Sequence, residues 1–563
     1  MKLKSWGLCL SVIGAFFSQV SLAQNYFIEQ ALLFSRQNAG GSARIQAMGG
    51  AQVALGGDFS SALSNPAGLG MYNRNEFSLT PAITFQNASG NYSTYEVQQG
   101  NLVTNQNSSS SSSSNVSLPG LSIVFGSGKN TDREPFYGGT FAITLNRIND
   151  FNGSMQYNGQ NNGSSMINYF LDVSTGYSKD QFDPKFDPNA PNVATGFGDN
   201  VNTQAYLGYN NYLFGPLTKN GTDYFSDLFG GSPFQKETIK TSGAQNQWNI
   251  SYGANLLDKL YLGAGLGITS VRYQYDKTYY EDFSGQTTGD IRPCIKCFNN
   301  FTLNEKRTTT GSGINLTIGA IFKPLDFVQF GTSYVTGTSY QLTDSYSGIM
   351  KSSWNNFDYY GDGSFILQEV TFDTNEGGTN SGKVISRAIT TPDPVNYSLS
   401  TPGRFTFGTA IFIAKKGFIT ADVELVNYAN ASTSSFSEQL YSLSIDAGLD
   451  VNKTVSSRFK SATNIRIGGE YRYKNFRFRA GYGIMDNPYA NKPTNRINYS
   501  LTNLSSISGG IGYRTAKFFV DMAVIQTQGD GYYLPYSLSN FPAPNYTYSN
   551  ATTRVMFTVG IPF

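Results

Sequence analysis

Apolar side chains recur at every second position along most of this sequence, and no other feature restricts its fold as strongly. From Leu260 to Ile268, each second residue is apolar, and the residues between them are tyrosine or glycine. The alternation returns from Val555 to Phe563 at the end of the chain. Successive side chains of a strand point to opposite faces, whereas a helix repeats every 3.6 residues. Each stretch therefore predicts a strand with one apolar face and one polar or small face.

The pattern predicts fourteen such strands, an even number. Either a soluble sandwich or a membrane barrel could cover their apolar faces. The predicted strands lie near residues 76–87, 117–126, 136–150, 246–254, 258–275, 306–322, 327–343, 396–413, 418–429, 462–473, 476–485, 505–514, 518–527 and 552–563.

The connections between these strands decide between the two folds, because short and long ones alternate. Short turns on one rim and long loops on the other are typical of outer-membrane barrels, and a closed sheet satisfies every backbone group in lipid. We therefore expect an all-β fold, a 14-stranded antiparallel transmembrane β-barrel over residues 76–563. The short connections are 127–135, 256–258, 323–326, 414–417, 474–475 and 515–517, and the expected extracellular loops are 88–116, 151–245, 276–305, 344–395, 430–461, 486–504 and 528–551.

Two of the expected loops have a distinctive composition. Loop 88–116 carries seven consecutive serines, Ser108 to Ser114, which is typical of a mobile segment. Loop 151–245 has apolar residues at helical spacing around Met166–Leu171 and again around Tyr224–Phe229. These predict two short helices that either pack on their own loop or form an apolar collecting surface at the barrel mouth.

The N-terminus predicts export. Lys2 and Lys4 precede an apolar run from Leu8 to Phe17, and the small residues before Gln24 form a cleavage site near Ala23. Residues 1–23 are therefore an expected signal peptide, and the expected location is the outer membrane of a Gram-negative cell. Loss of Lys2 and Lys4 takes the 40 basic and 38 acidic residues to 38 of each, so we expect no nucleic-acid partner.

The chain has no histidine, which excludes catalytic triads built on histidine and histidine-ligated zinc or haem. We expect no enzyme, no metal and no cofactor. Cys294 and Cys297 are the cysteines that remain after cleavage, and outside the cytoplasm a local disulfide explains them most simply. A redox role or a metal site is the alternative, although a four-ligand zinc site lacks two further nitrogen or sulfur ligands.

Residues 24–75, between the signal and the first strand, are rich in glycine, alanine and serine, so their backbone can pack closely in a confined space. This segment starts at the short-turn rim and can fold back into the barrel. At 14 strands the lumen is too wide for wall side chains to fill, so a plug or a channel is expected. The segment is therefore a candidate plug, or hatch. It contains Ser42-Ala43-Arg44, Met48-Gly49-Gly50-Ala51 and Asn65-Pro66-Ala67-Gly68.

With these motifs the chain resembles the FadL/TodX family of outer-membrane transporters for long-chain fatty acids and other hydrophobic compounds. Residues 145–152, 248–253, 417–422 and 466–471 are similar to the version of the family found in Bacteroidetes. The resemblance implies a 14-stranded barrel with Asn65, Pro66, Ala67 and Gly68 in its hatch. It also implies passive passage of fatty acids or aromatic hydrocarbons and sideways exit through a gap at a strand kink. Some relatives are instead secretion or assembly partners, so a barrel whose surface loops bind protein is the alternative. Without the resemblance, Asn65-Pro66 is an ordinary turn.

Six charged residues fall on the predicted inward faces of the strands. One interpretation is a ladder of ion pairs that braces the wall. The other is that an unpaired arginine binds a substrate carboxylate, which guanidinium matches with two hydrogen bonds. The candidates for the substrate are Arg466, Arg477 and Arg479, and their structural partners are Asp422, Glu424 and Glu470.

Phe563 ends the last strand, and a terminal aromatic of this kind is a signal for the barrel-assembly machinery. The expected partners are this machinery, outer-membrane lipid and a hydrophobic small molecule. We expect the protein to be a monomer.

Overall fold

The computed structural model describes most of the chain after the expected signal peptide. No helix in the described part is long and apolar enough to cross a membrane. Cys294 and Cys297 lie outside the described residues. The described residues are 22–182, 185–187, 190–196, 201–218, 221–226, 228, 232–284, 298–358, 362–373, 377–380, 383–385, 388–389, 394–414, 416–435, 451–491 and 501–563.

Fourteen antiparallel strands form a closed barrel, which confirms the predicted fold class and strand number. Each strand pairs with its neighbours in sequence order, and the last strand pairs with the first from Glu76↔Pro562 to Ser93↔Asn545. The strands are β1 Glu76–Gln98, β2 Asn101–Gly126, β3 Phe136–Asp150, β4 Phe234–Leu256, β5 Leu260–Asp282, β6 Phe298–Leu325, β7 Val328–Val335, β8 Arg404–Ile413, β9 Gly417–Asn427, β10 Ser461–Tyr473, β11 Phe476–Met485, β12 Leu504–Arg514, β13 Phe519–Tyr533 and β14 Asn545–Pro562.

Large apolar side chains cover a band on the outside of this barrel. Ile318 on β6 is 58% exposed, and Leu262 on β5 and Phe85 on β1 are also exposed. A soluble protein rarely leaves so many contiguous apolar side chains in water. This band is therefore the surface that faces lipid.

The interpretation of residues 88–116 as a mobile loop is wrong. These residues continue β1 and β2 as a paired hairpin that turns at Gln99 and Gly100, and Ser108 to Ser114 lie within β2. The outward face changes from apolar to polar between Phe85 and Asn87, while the backbone ladder continues. The alternation of apolar and polar residues reflects contact with lipid. It therefore ends at the membrane boundary, although the strand continues beyond it.

Several other expected loops contain strands for the same reason. β4, β5 and β6 all extend beyond the apolar band, and Gly153–Gln160 and Ser339–Asp358 extend the wall above β3 and β7. The remaining strands described are Lys185–Asp187, Ala190–Gly196, Gly215–Pro216, Tyr224–Phe225, Ile366–Asp373, Gly377–Asn380, Lys383–Ile385, Ala388–Ile389, Val395–Ser400 and Ser432–Ser435.

Short helices lie in the N-terminal segment and in the long connections. α4 confirms the predicted helix near Met166, whereas Tyr224 and Phe225 lie in a short strand, so the second predicted helix is wrong there. Phe229 lies outside the described residues. The helices are α1 Leu22–Ser35, α2 Ala43–Gln46, α3 Ser61–Ser64, α4 Met166–Ser174, α5 Lys179–Phe182, α6 Thr203–Asn210 and α7 Val451–Arg458, with 3₁₀ turns at Pro66–Met71 and Tyr428–Asn430.

Residues 22–71, which we call the lumen segment, fold into the barrel, and residues 72–75 join them to β1 at the short-turn rim. α1 packs through Ile28 and Phe34 against inward-facing residues of the wall. α2 contacts β12, β13 and β14, and the 3₁₀ turn Pro66–Met71 contacts β3, β4, β5 and β6. The segment therefore reaches the wall on opposite sides of the lumen.

The position of the apolar band predicts how the barrel responds to a charge on its outer face. Ile318→Arg places a cation against lipid and should lower the free energy of unfolding by about 2–4 kcal/mol. Thr308→Arg lies on the same outward face of β6, beyond the band, and should change it by less than about 1 kcal/mol. Urea unfolding in lipid vesicles measures both. Equal losses at the two positions would contradict the placement of the band.

Candidate functional site

Asn65 and Pro66 form a turn that is fixed to the wall. The Asn65 Oδ1 atom accepts a hydrogen bond from the Ala67 backbone N–H at 3.2 Å, which caps the 3₁₀ turn that begins at Pro66. The Asn65 side-chain amide donates to the carbonyls of Val53 at 2.7 Å and Ala320 at 3.2 Å. The turn predicted from the sequence is therefore present. It lies in the lumen with Ala67 and Gly68, and all four residues of the motif are buried.

Glycines on the inward faces of neighbouring strands make room for this turn. A Cβ atom at Gly263 on β5 would collide with the backbone N of Ala67, and one at Gly319 on β6 would collide with the Asn65 Oδ1 atom. The small face of the alternating pattern is therefore the face that receives the lumen segment.

Asp422 on β9 holds the next part of the lumen segment. Its Oδ2 atom accepts hydrogen bonds from the backbone N–H groups of Gln52 at 2.7 Å and Val53 at 3.0 Å. The carboxylate is fully buried. Beside it, the Arg466 guanidinium pairs with Glu424 at 3.1 Å, and Asn464 donates to the same carboxylate oxygen at 2.7 Å.

A second chain of charges joins the lumen segment to β10, β11 and β13. Arg44 lies 3.7 Å from Asp58 within the segment and 3.6 Å from Glu470 on β10. Burial by itself lowers the pKa of Arg44, but the carboxylates of Glu470 and Asp58 raise it above its ordinary value. Arg479 pairs with Glu470 at 2.8 Å and with Asp521 at 2.6 Å.

The three arginines selected from the sequence differ in position. Arg466 and Arg479 are in these buried ion pairs. Arg477 lies at the short-turn rim, where it donates to the backbone carbonyls of Lys474 at 2.7 Å and Phe476 at 2.8 Å. Ion pairs that brace the wall account for the contacts of Arg466 and Arg479. Within the described residues, none of the three arginines has a guanidinium group left unbonded in the lumen for a substrate carboxylate.

Two larger cavities lie inside the described part of the barrel. The inner cavity, about 300 Å³, lies against the lumen segment, and the outer cavity, about 340 Å³, lies farther from the short-turn rim. Both volumes are at the small end of the range for ligand pockets. The two cavities share the lining residues Glu29, Leu33, Gln86, Leu501 and Asn550.

The linings of the cavities are amphiphilic. Amides, hydroxyls and charges line the inner cavity beside Leu32, Ile484 and Leu504. Tyrosines surround the outer cavity, where Lys277 pairs with Glu305 at 2.6 Å. The described lining of both cavities is therefore mixed and not uniformly apolar.

Arg554 on β14 is the functional candidate that the sequence analysis missed. It faces the inner cavity, and within the described residues its side chain makes no hydrogen bond and no ion pair. Asp150, also in the cavity lining, is its nearest source of electrostatic attraction. The signal was present in the sequence, because Arg554 interrupts the inward face of a strand whose outward face is Val555, Phe557 and Val559.

Backbone pairing between two strands of the wall is incomplete next to the inner cavity. β2 and β3 form a backbone ladder only from Gly120↔Asn146 to Gly126↔Thr140. Beyond it, β3 breaks at Phe151 and Asn152, which line the inner cavity. We call the boundary between residues 101–119 of β2 and residues 147–160 the seam.

Side chains of β2 close this seam in place of a backbone ladder. The Asn115 amide donates to the Asp150 Oδ2 atom at 3.0 Å, and the Ser111 hydroxyl donates to the Ser154 carbonyl at 2.8 Å. Farther out, the Asn107 amide donates to the Asn158 backbone carbonyl at 2.7 Å.

The outer end of the barrel is covered by α4, α6 and the strands around them. Met166, Phe170 and Leu207 are fully buried in one apolar cluster with residues of the wall. The Glu281 carboxylate of β5 accepts a hydrogen bond from the Met166 N–H at 2.7 Å at the start of α4. The residues of α4 therefore pack inward on the structure that carries them, and they do not form an exposed collecting surface.

Of the comparisons with known proteins, the one with solved structures supports the architecture. No family model matches the sequence, and no curated protein matches it. Among solved structures, a FadL homologue from Pseudomonas aeruginosa superimposes with a TM-score of 0.51 at 12% identity, over 93% of this chain and 98% of that one.

Two toluene transporters are also similar to the chain. TodX from Pseudomonas putida has a TM-score of 0.45 at 13% identity, over 93% of this chain and 99% of that chain. TbuX from Ralstonia pickettii has a TM-score of 0.39 at 13% identity, over 92% and 98%. The resemblance noted in the sequence is thus confirmed at the level of the fold, which is the barrel fold of the FadL homologue.

The role of Asp422 as an anchor predicts a local effect of its removal. Asp422→Asn replaces a charged acceptor by a neutral one, and hydrogen bonds to charged groups contribute about 1.5–3 kcal/mol. Amide hydrogen exchange at Gln52 and Val53 should therefore become at least about tenfold faster, while the strands keep their protection. Asp276→Asn, on the exposed outer face of β5, is the matched control. Unchanged exchange in Asp422→Asn would show that this carboxylate does not hold the lumen segment.

Proposed function

We propose that the protein is an outer-membrane channel for the passive uptake of amphiphilic small molecules that carry an anionic group on an apolar body, such as fatty acids. The observation that carries this proposal is the inner cavity, which presents the unpaired Arg554 and ends at the seam in the wall. The likeness in fold to a FadL homologue supports the same class of function.

The chemistry of the cavities supports an amphiphile more than a pure hydrocarbon. The amides of Asn38, Asn149 and Asn550 bond to other protein groups and make part of the lining polar, and a polar wall suits a molecule with a polar group better than a hydrocarbon. A carboxylate can form two hydrogen bonds with Arg554, while Leu32, Leu33 and Leu504 contact the apolar part.

The bracing of the lumen segment supports sideways exit. Straight passage toward the short-turn rim requires that the segment break its contacts with Asp422, Glu470 and the glycine faces of β5 and β6. Sideways exit requires separation of the side-chain bonds of Asn115 and Ser111, each of which contributes about 0.5–3 kcal/mol. The seam is therefore the weaker boundary. At its inner end Asn115 lies opposite Thr84, between the lipid-facing Ile83 and Phe85, so an apolar body that leaves there enters lipid directly.

Internal space also favours transport over the alternative, a barrel that serves only as a binding partner for proteins. A protein that acts through its surface loops does not need two cavities inside its lumen. In this proposal the lumen segment is the hatch, and Asn65, Pro66, Ala67 and Gly68 hold it in place.

A disulfide across the seam tests the exit route. Asn115→Cys with Asp150→Cys, in a chain whose Cys294 and Cys297 are replaced by serine, should form a bond that closes the seam beside the inner cavity. Uptake of a labelled fatty acid into cells should fall at least about tenfold when the pair is oxidised and recover on reduction, because this route carries most of the flux.

The control for this experiment is a second pair at the far end of the seam. Asn107→Cys with Asn158→Cys lies eight residues away along each strand, which is about 26 Å. Oxidation of that pair should leave uptake unchanged. If the Asn115–Asp150 pair also leaves uptake unchanged when it is fully oxidised, the molecules do not leave through the seam.

Arg554 predicts which molecules are selected. Arg554→Met removes the open guanidinium, so uptake of a long-chain carboxylate should fall at least about tenfold, the loss of one charge-assisted hydrogen bond. Uptake of the alcohol of equal chain length should stay the same, and Arg554→Lys should keep part of the carboxylate uptake. Arg272→Met, on the exposed outer face of β5, is the control. Equal losses for carboxylate and alcohol would show that Arg554 supports the structure and does not select the substrate.

A further inference from the structure

The short-turn rim of the barrel carries a sector of positive charge. Three of its turns, at residues 414–417, 474–475 and 515–517, contain lysines and no acidic residue. The exposed Arg74 precedes β1 on the same rim, whereas Arg472, Arg477 and Arg514 at the ends of the adjoining strands lie on the inward face. We call the exposed cations the basic sector: Arg74, Lys416, Lys474 and Lys517.

Hydrogen bonds to backbone carbonyls connect the turns of this sector to one another. The Arg472 N–H donates to the Lys416 carbonyl at 2.7 Å, and the Arg514 N–H donates to the Asn475 carbonyl at 2.9 Å. The Arg74 guanidinium donates to the Ala516 carbonyl at 3.3 Å. Each turn is therefore fixed to the next, and the cations form one surface along β8 to β13 and the start of β1.

The charge in this sector is not neutralised by ion pairs. Within the described part of the chain, none of these four cations makes an ion pair with a carboxylate. The turns on the other side of the rim differ, because Lys129 pairs with Asp258, and Lys323 lies 3.0 Å from Asp326.

Exposed aromatic side chains lie beside these cations on the outer face. The Lys474 ammonium lies 5.6 Å from the centre of the Tyr473 ring. Aromatic side chains of membrane barrels gather at the boundary between hydrocarbon and head groups. The cations just beyond them therefore lie at the level of the lipid phosphates. The exposed aromatics are Tyr471, Tyr473, Phe476, Tyr513 and Phe518.

We propose that the basic sector binds the phosphate head groups of anionic phospholipid, such as phosphatidylglycerol, in the leaflet at the short-turn rim. The aromatic belt places these cations at the level of the lipid head groups. Each basic residue near an anionic membrane surface strengthens association with the lipid about fivefold. The opposite side of the rim, where Asp258 and Asp326 pair with Lys129 and Lys323, has no such preference. The bound lipid lies on one side of the barrel only.

The test compares the association of two spin-labelled lipids with the full chain in phosphatidylcholine vesicles. Wild type should retain spin-labelled phosphatidylglycerol at least about fivefold more strongly than spin-labelled phosphatidylcholine, and added salt should reduce the difference. The variant Lys416→Gln, Lys474→Gln, Lys517→Gln should lose most of this preference. The matched variant Lys129→Gln, Lys259→Gln, Lys323→Gln should keep it.

The outcomes separate the possible explanations. Both variants change only surface lysines, and cold and heated migration in gels verifies that each barrel is folded. Equal retention of the two lipids by wild type, or equal loss in the two variants, would overturn the proposal. So would a wild-type chain that shows no lipid preference but binds an acidic periplasmic protein through these three lysines.

Discussion

Closure of the sheet is the constraint on which the rest of this structure depends. A backbone N–H or C=O group in lipid has no water to bond, so each strand must be paired on both sides. The ladder between β14 and β1 removes the last two free edges. Closure also fixes direction, because each side chain then faces either lipid or lumen. The alternation at Leu260–Ile268 follows from this, because successive side chains face lipid and lumen in turn.

A closed ring of fourteen strands leaves a space that must be filled from elsewhere in the chain. The lumen segment fills it with small residues, and glycines such as Gly263 and Gly319 let its backbone lie directly on the wall. Charges inside such a space must be matched, since an unpaired buried charge is costly. Glu424 with Arg466, and Arg479 with Glu470 and Asp521, satisfy this rule. Within the described residues Arg554 has no such partner, and the proposed function rests on this exception.

The sequence pattern predicted the features that contact with lipid imposes on the strands. It did not predict the parts of the strands that lie outside the membrane. Strand number, barrel closure and the turn at Asn65 followed from alternation, from the sorting of connection lengths and from local turn chemistry. The strand that contains Ser108 to Ser114 did not follow, because a ladder in water needs no apolar face. The choice among arginines stays a prediction, since pairing depends on which side chains meet across the lumen, as Arg44 and Glu470 do from distant parts of the chain.

Closure and the proposed sideways release place opposite demands on the same wall, and β2 is built in a way that is compatible with both. Pro119 has no N–H to donate, and the ladder with β3 ends at the next residue, Gly120. Beyond that point β2 remains fully paired to β1, so only one of its edges is open. Serine and asparagine side chains such as Ser111 and Asn115 then close that edge with bonds that break singly, whereas a ladder breaks cooperatively. A run of short hydroxyl side chains is therefore suited to a boundary that opens without unfolding the barrel.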